Sequence, residues 1–178
     1  MPLLTEVDVS KTSIGDEFVS RLGAKPTLRT LSMSGTRVTQ KCFPVVAKMK
    51  SLIALNLDND EGISDLSNLR NLPLTNLSLK GVLITVNSPI VRQISHFPKL
   101  KSLRLSQTAL RDSDLLILAE APNLNYLEIF ECDLLKPKGI AAFKKLKPNC
   151  HVTTEDPDRK AKYEKVESLF GKLDDDIK

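Results

Sequence analysis

Residues 100–134, LKSLRLSQTALRDSDLLILAEAPNLNYLEIFECDL, carry one pattern twice. Leu100, Leu103, Leu105, Thr108 and Leu110 recur as Leu124, Leu127, Ile129, Cys132 and Leu134: an LxxLxL unit, two residues, Thr or Cys, one residue and an aliphatic. At intervals of 22 to 26 residues the same frame falls on Leu4/Val7/Val9, Leu28/Leu31/Met33, Leu52/Leu55/Leu57 and Leu74/Leu77/Leu79. Six such units cover most of the chain, and a fixed period of this size marks a stacked repeat in which each unit buries its apolar face only against its neighbours.

Within LxxLxL, alternate positions of an extended chain face the same way, so the aliphatic residues point inward and each unit adds one short parallel strand. The segments between strands switch to helical spacing, as in Phe18, Val19 and Leu22, in Phe43, Val46 and Met49, and in Ile90, Val91, Ile94 and Phe97. The third unit has one extra residue before Ile63, which predicts a widened turn at Asp60–Gly62. Its return segment is the shortest, and Ser64 or Asp65 supplies an oxygen suited to a helix N-cap.

These residues resemble the leucine-rich-repeat superfamily over about residues 4–152. The resemblance implies a right-handed α/β horseshoe, with a parallel sheet on the concave face and short helices on the convex face. It also implies a non-enzymatic protein-binding module that meets a protein partner through the concave sheet. Two alternatives stay open: a structural subunit held in a larger complex by an uncapped N-terminal repeat, and the recognition domain of a longer effector or ligase-adaptor protein. The domain division is residues 1–152 for the repeats and 153–178 for an amphipathic C-terminal cap and acidic tail.

Thr12, Thr36, Thr108 and Cys132 stand where the chain turns out of each strand, and a small hydrogen-bonding side chain there satisfies backbone groups that would otherwise be buried bare. Val82 departs from the pattern and Asp60 falls in the widened turn, so this ladder is expected to break in mid-chain. The run KPKGIAAFKKLKPNCHV predicts a helix leading to a closing strand in which Cys150 and Val152 cover the last layer. Beyond it, Asp156 and Pro157 are a fitting helix start, and Tyr163, Val166, Phe170 and Leu173 share one face, with an end near Gly171 ahead of Asp174–Asp176. At the other end the first unit opens at Leu4, so its apolar side is expected to be exposed.

Composition agrees with an aliphatic solenoid: 41% hydrophobic residues, 4% aromatics and no Trp in 178 residues. A net charge of +4 is mildly basic, and the lysines at 136, 138, 144, 145 and 147 lack interleaved stacking aromatics, so nucleic acid is not expected as a partner. Three cysteines cannot close a disulfide set. With no basic leader ahead of an apolar run and no stretch of 18 apolar residues, a cytoplasmic protein without a membrane span is expected.

Local signatures for nucleotide, zinc-protease and hydrolase chemistry are absent from the sequence, and His96 and His151 are its only histidines. The Asp58–Gly62 run fails as a calcium loop because Leu69 stands where a bidentate Glu is needed. No catalytic residue, metal or cofactor is therefore expected. What remains is the outward face of the strands, small and polar on its N-terminal side and basic and aromatic towards its C-terminal side. Lys80, Ser102, Arg104, Tyr126, Glu128 and Phe130 are the candidate partner-binding residues, with Tyr126 and Phe130 expected as exposed anchors.

Overall fold

The computed structural model describes residues 3–85 and 88–156. Strands β1 (Glu6–Asp8), β2 (Thr30–Ser32), β3 (Ala54–Asn56), β4 (Asn76–Ser78), β5 (Ser102–Arg104), β6 (Tyr126–Glu128) and β7 (His151–Thr153) pair in parallel, in chain order, as one open sheet. The first six come from the six sequence units. The seventh comes from the closing run and extends to Thr153, one residue past the expected boundary. Short helices return the chain behind the sheet: α1 (Asp16–Leu22), α2 (Phe43–Val46), α3 (Ile90–Ser95), α4 (Asp112–Leu118) and α5 (Pro137–Leu146). The third return, the shortest, holds only a 3-10 turn over Ser67–Leu69. Its first amide is met by Asp65 Oδ1 at 2.8 Å, although Leu66 occupies the cap position itself. The whole is an α/β leucine-rich-repeat horseshoe.

Register explains the Leu periodicity. Val7, Leu31, Leu55, Leu77, Leu103, Leu127 and Val152 stand opposite one another through consecutive pairings. The five leucines of that row are buried, while Val7 and Val152, at its two ends, are only partly covered. Each fully buried large aliphatic contributes about 1.5–3 kcal/mol relative to exposure, so the interior of the stack is held by its own repetition and the ends are not.

Why does each strand stop after three residues? Lys11, Gly35, Asn59, Gly81, Gln107 and Glu131 occupy the same place in successive units, and all have φ between 54° and 70°. A left-handed residue turns the chain sharply, and in the first five of these units its amide is satisfied by the next unit rather than its own. Lys11 N–H donates to the Ser34 carbonyl at 2.8 Å, and Gln107 N–H to that of Phe130 at 2.9 Å. Glycine fits this conformation without strain at Gly35 and Gly81, whereas a side chain elsewhere costs roughly 1 kcal/mol.

The polar ladder beneath these turns differs from expectation at Asp60. That residue does not loop out. It is fully buried, and its Oδ1 accepts the Thr36 amide at 2.8 Å and the Thr36 hydroxyl at 3.2 Å, so it continues the ladder from the second unit to the third. The extra residue is absorbed after it, where Gly62 bridges Thr39. The ladder breaks one unit later, at buried Val82. Farther on it resumes: Thr108 Oγ1 donates to the Leu105 carbonyl at 2.6 Å, and Cys132 Sγ donates to the same oxygen at 3.3 Å. Cys132 is thereby a structural donor in the stack.

A second set of side chains joins the units on the helical side. Asp16 accepts from both the amide and the hydroxyl of Thr39, Gln93 Oε1 accepts the Leu66 amide, and Asp112 Oδ1 accepts the Lys136 amide. Gly139 is needed at that last junction, since a Cβ there would collide with the Asp112 carboxylate. The tail helix expected from Asp156 onward, with Tyr163, Val166, Phe170 and Leu173, lies outside the described residues.

Candidate functional site

The outward positions of three-residue strands form two rows across the sheet. Thr30, Ala54, Asn76, Ser102, Tyr126 and His151 make one, and Ser32, Asn56, Ser78, Arg104, Glu128 and Thr153 the other. Across β2 to β4, and at Ser102 on β5, the outward side chains are short, and they leave a shallow hollow of about 430 Å³ whose far wall is Arg104 and Tyr126. Size explains the shape. Ala, Ser, Thr and Asn cannot fill the space that a Tyr and an Arg fill two strands away.

The wall is wired from below. Glu128 has a side chain only 4% exposed, beside a half-exposed Arg104 at 52%. Arg104 Nε donates to Glu128 Oε2 at 3.0 Å, and Ser106 Oγ donates to Glu128 Oε1 at 3.3 Å. Ser106 Oγ in turn accepts the Phe130 amide at 3.2 Å, so the carboxylate is linked to the next turn's backbone. Tyr126 OH makes a long contact of 3.5 Å to Glu128 Oε2 and accepts from Thr153 Oγ1 at 3.4 Å. Its ring stacks on His151, with centroids 5.7 Å apart and planes inclined by 21°. A buried carboxylate with a cation and two hydroxyls around it is a positioned group, because its desolvation is offset by those specific donors.

The six sequence-derived candidates therefore divide. Lys80, Ser102, Arg104 and Tyr126 reach the surface of the face in whole or in part. Glu128 does not: it lies under Arg104 and can act on a partner only through that guanidinium. Phe130 is a correction. It is 4% exposed rather than an open anchor, and Lys80 Nζ lies over its ring, 4.9 Å from the centroid. The alternation behind that expectation runs two residues past the end of β6. Phe130 belongs to the turn before Glu131, where inward and outward no longer follow a period of two.

The hollow itself, with Asn56, Asn76 and Ser78, was not among the sequence candidates. The available signal was the run of small residues at outward positions of β2 to β4, which only matters once neighbouring strands show a large side chain beside it.

Asp60 is the other electrostatically distinctive group. Its Oδ2 is buried without a hydrogen-bond partner among the described residues, and burial, opposed by the Thr36 donors, pushes its pKa up to about 6. Burial, reinforced by nearby Asp16, likewise pushes the Cys42 thiol up to about 12. These groups sit in the core and not on the face.

No protein-family model matches the chain, and no curated protein matches it in sequence. Solved structures do match. An internalin from Listeria monocytogenes superimposes with a TM-score of 0.58 at 19% identity, covering 84% of this chain and 40% of that one. A leucine-rich-repeat protein from Leptospira interrogans gives 0.59 at 22% identity, covering 84% of this chain and 36% of that one. The functional domain of InlJ from Listeria monocytogenes, which includes a cysteine ladder, gives 0.51 at 19% identity, covering 85% of this chain and 29% of that one. At these identities the likeness is one of fold. This chain spans 40% or less of the length of each of those three structures.

Proposed function

We propose that this leucine-rich-repeat chain is a non-enzymatic recognition module that binds a protein partner on the concave face of its sheet. The observation that carries the proposal is the hollow over β2 to β5 with a wall of Arg104 and Tyr126 held in place by buried Glu128. A surface with no partner to meet has no need to bury a carboxylate merely to orient an exposed arginine. Seven strands spaced about 4.8 Å apart span roughly 29 Å, wide enough for an ordinary protein interface. Tyr126 and Arg104 are of the residue types that most often carry the larger share of binding energy, with Ser102 and Lys80 beside them. The chain acts within a larger whole in this proposal, as the recognition part of a longer effector or adaptor. A cytoplasmic setting belongs to the same proposal, supported by three thiols that are all unpaired.

The test is affinity capture from the native source with the wild-type chain and an Ala54→Trp/Tyr126→Ala variant, which fills the hollow and removes half its wall. Loss of the captured protein with an unchanged melting temperature is the expected result. Equal recovery would reject the face.

One observation favours a second proposal, a structural subunit docked through the first repeat. Leu3 is 73% exposed and Leu4 44% exposed beside the outer edge of β1, where one side of the strand is left for pairing. Light scattering separates the two: a clean monomer at high concentration rejects the sticky edge, and concentration-dependent assembly abolished by Leu3→Lys supports it.

A further inference from the structure

Donors and acceptors are unevenly distributed in the hollow. Asn56 Oδ1 is occupied, because it accepts the Asp58 amide at 2.9 Å and a backbone N–H can only donate. Its amide Nδ2 is therefore the group left facing the hollow. Asn76 Oδ1 accepts from Thr75 Oγ1 at 2.7 Å, which leaves its Nδ2 as well. Ser78 gives its hydrogen to Asp58 Oδ1 at 2.5 Å. Arg104 spends Nε on Glu128, while among the described residues nothing accepts from its two Nη groups. Open N–H donors therefore stand at both ends of the row, on Asn56 and Arg104, with the Ser78 hydroxyl between them already committed as a donor to Asp58.

From this we infer that the hollow binds an extended, acceptor-rich segment of a protein partner, with a carboxylate seated on the Nη groups of Arg104 and a second acceptor on Asn56 Nδ2. This rests on the concave face being the binding surface and specifies what that surface recognises. Arginine's planar fork suits a carboxylate, and the buried Glu128 fixes the plane of the fork before any partner arrives. Geometry sets the spacing. Asn56 and Arg104 lie in one row with Ser78 between them, so two strand spacings of about 4.8 Å separate them by roughly 10 Å. An extended chain advances about 3.3 Å per residue, which places the two acceptors about three residues apart. The segment runs across the strands, so the sheet's edges are not involved.

A random dodecapeptide display selection on the full chain tests this, with the selected peptides titrated by fluorescence polarisation against wild type, Ala54→Trp, Asn56→Asp and Arg104→Lys. Asn56→Asp keeps the oxygen that accepts the Asp58 amide and turns the open donor into an anion, so it tests recognition without removing the turn. Arg104→Lys keeps the cation over Glu128 and removes the fork. Melting temperatures within a few degrees of wild type establish that each variant is folded. The expected result is a selected Asp or Glu three residues from a second acceptor, with affinity at least tenfold weaker for each of the three variants. Peptides lost with Ala54→Trp but lacking a carboxylate, or indifferent to Asn56→Asp, would overturn this inference while leaving the face as the binding surface. Peptides indifferent to Ala54→Trp, or no peptides beside a neutral glycan retained on a parallel array, would overturn it together with the peptide-binding role of the face.

Discussion

The two halves of the sheet solve the same stacking problem differently. From β5 to β7 the face is filled and cross-linked: Arg104, Glu128, Ser106 and the Phe130 amide form one connected set, with Tyr126 stacked on His151 at its rim. On β2 and β3 the outward side chains are short, the edge residues Leu3 and Leu4 beside β1 are exposed, and the third turn holds a buried carboxylate oxygen without a partner among the described residues. Aliphatic residues in one inward register underlie both halves, so the difference lies outside the core. A solenoid can vary the rigidity of its surface from unit to unit without altering the register that holds it together.

The largest effect expected from this contrast is in the core itself. Leu103→Ala, at a fully buried site between two well-packed layers, should cost about 2–5 kcal/mol in chemical denaturation. Val7→Ala, on the partly covered edge strand, should cost about 1 kcal/mol or less. Equal losses would mean that the N-terminal repeat is packed as tightly as the centre.

Next is the carboxylate network. Glu128→Ala should destabilise by about 2 kcal/mol, because Ser106 Oγ loses its acceptor and Arg104 loses its anchor. Glu128→Gln should cost less. A loss below roughly 0.5 kcal/mol for the Ala variant would show that the network is not held in solution.

Asp60 gives the N-terminal half a pH dependence of its own. Its folded pKa, raised from 3.8 to about 6, means that the folded state binds the proton more tightly. Stability from this group is fully present below pH 3.8 and falls as pH rises towards 6, by roughly 3 kcal/mol. Exposed Asp8 and half-buried Asp65, held below the usual carboxylate range by their serine donors, act oppositely and at lower pH. Asp60→Asn should flatten the pH 4–6 slope, and a slope that persists in that variant would place the effect elsewhere.

Smaller again is the comparison of two turn glycines. Gly35→Ala meets no neighbouring atom and should cost about 1 kcal/mol from its left-handed backbone. A Cβ at Gly81 would collide with Asn59 Oδ1, so Gly81→Ala should cost more. The reverse order would contradict the packing between the third and fourth turns.

How much of this was legible in the chain follows from where the periodicities hold. Leu103 and Leu127 could be placed inward from LxxLxL alone, because a strand pinned by its neighbours keeps a period of two. Phe130 could not be placed, because the left-handed residue after it ends that period, and nothing in Phe-Glu-Cys marks Glu131 as such. Asp60 misled for a related reason: one extra residue can be absorbed on either side of it, and only the Thr36 donors decide which. Arg104 and Tyr126 were visible as types, but the hollow beside them is a property of four strands at once.

The central claim is that recognition occurs on the sheet and not on the helices. It is tested most directly by site-specific photo-crosslinking, with a photoreactive residue at Ser102 beside the hollow or at exposed Lys145 on α5. Partner adducts from position 102 and none from position 145 are predicted. Adducts from position 145 alone would contradict it.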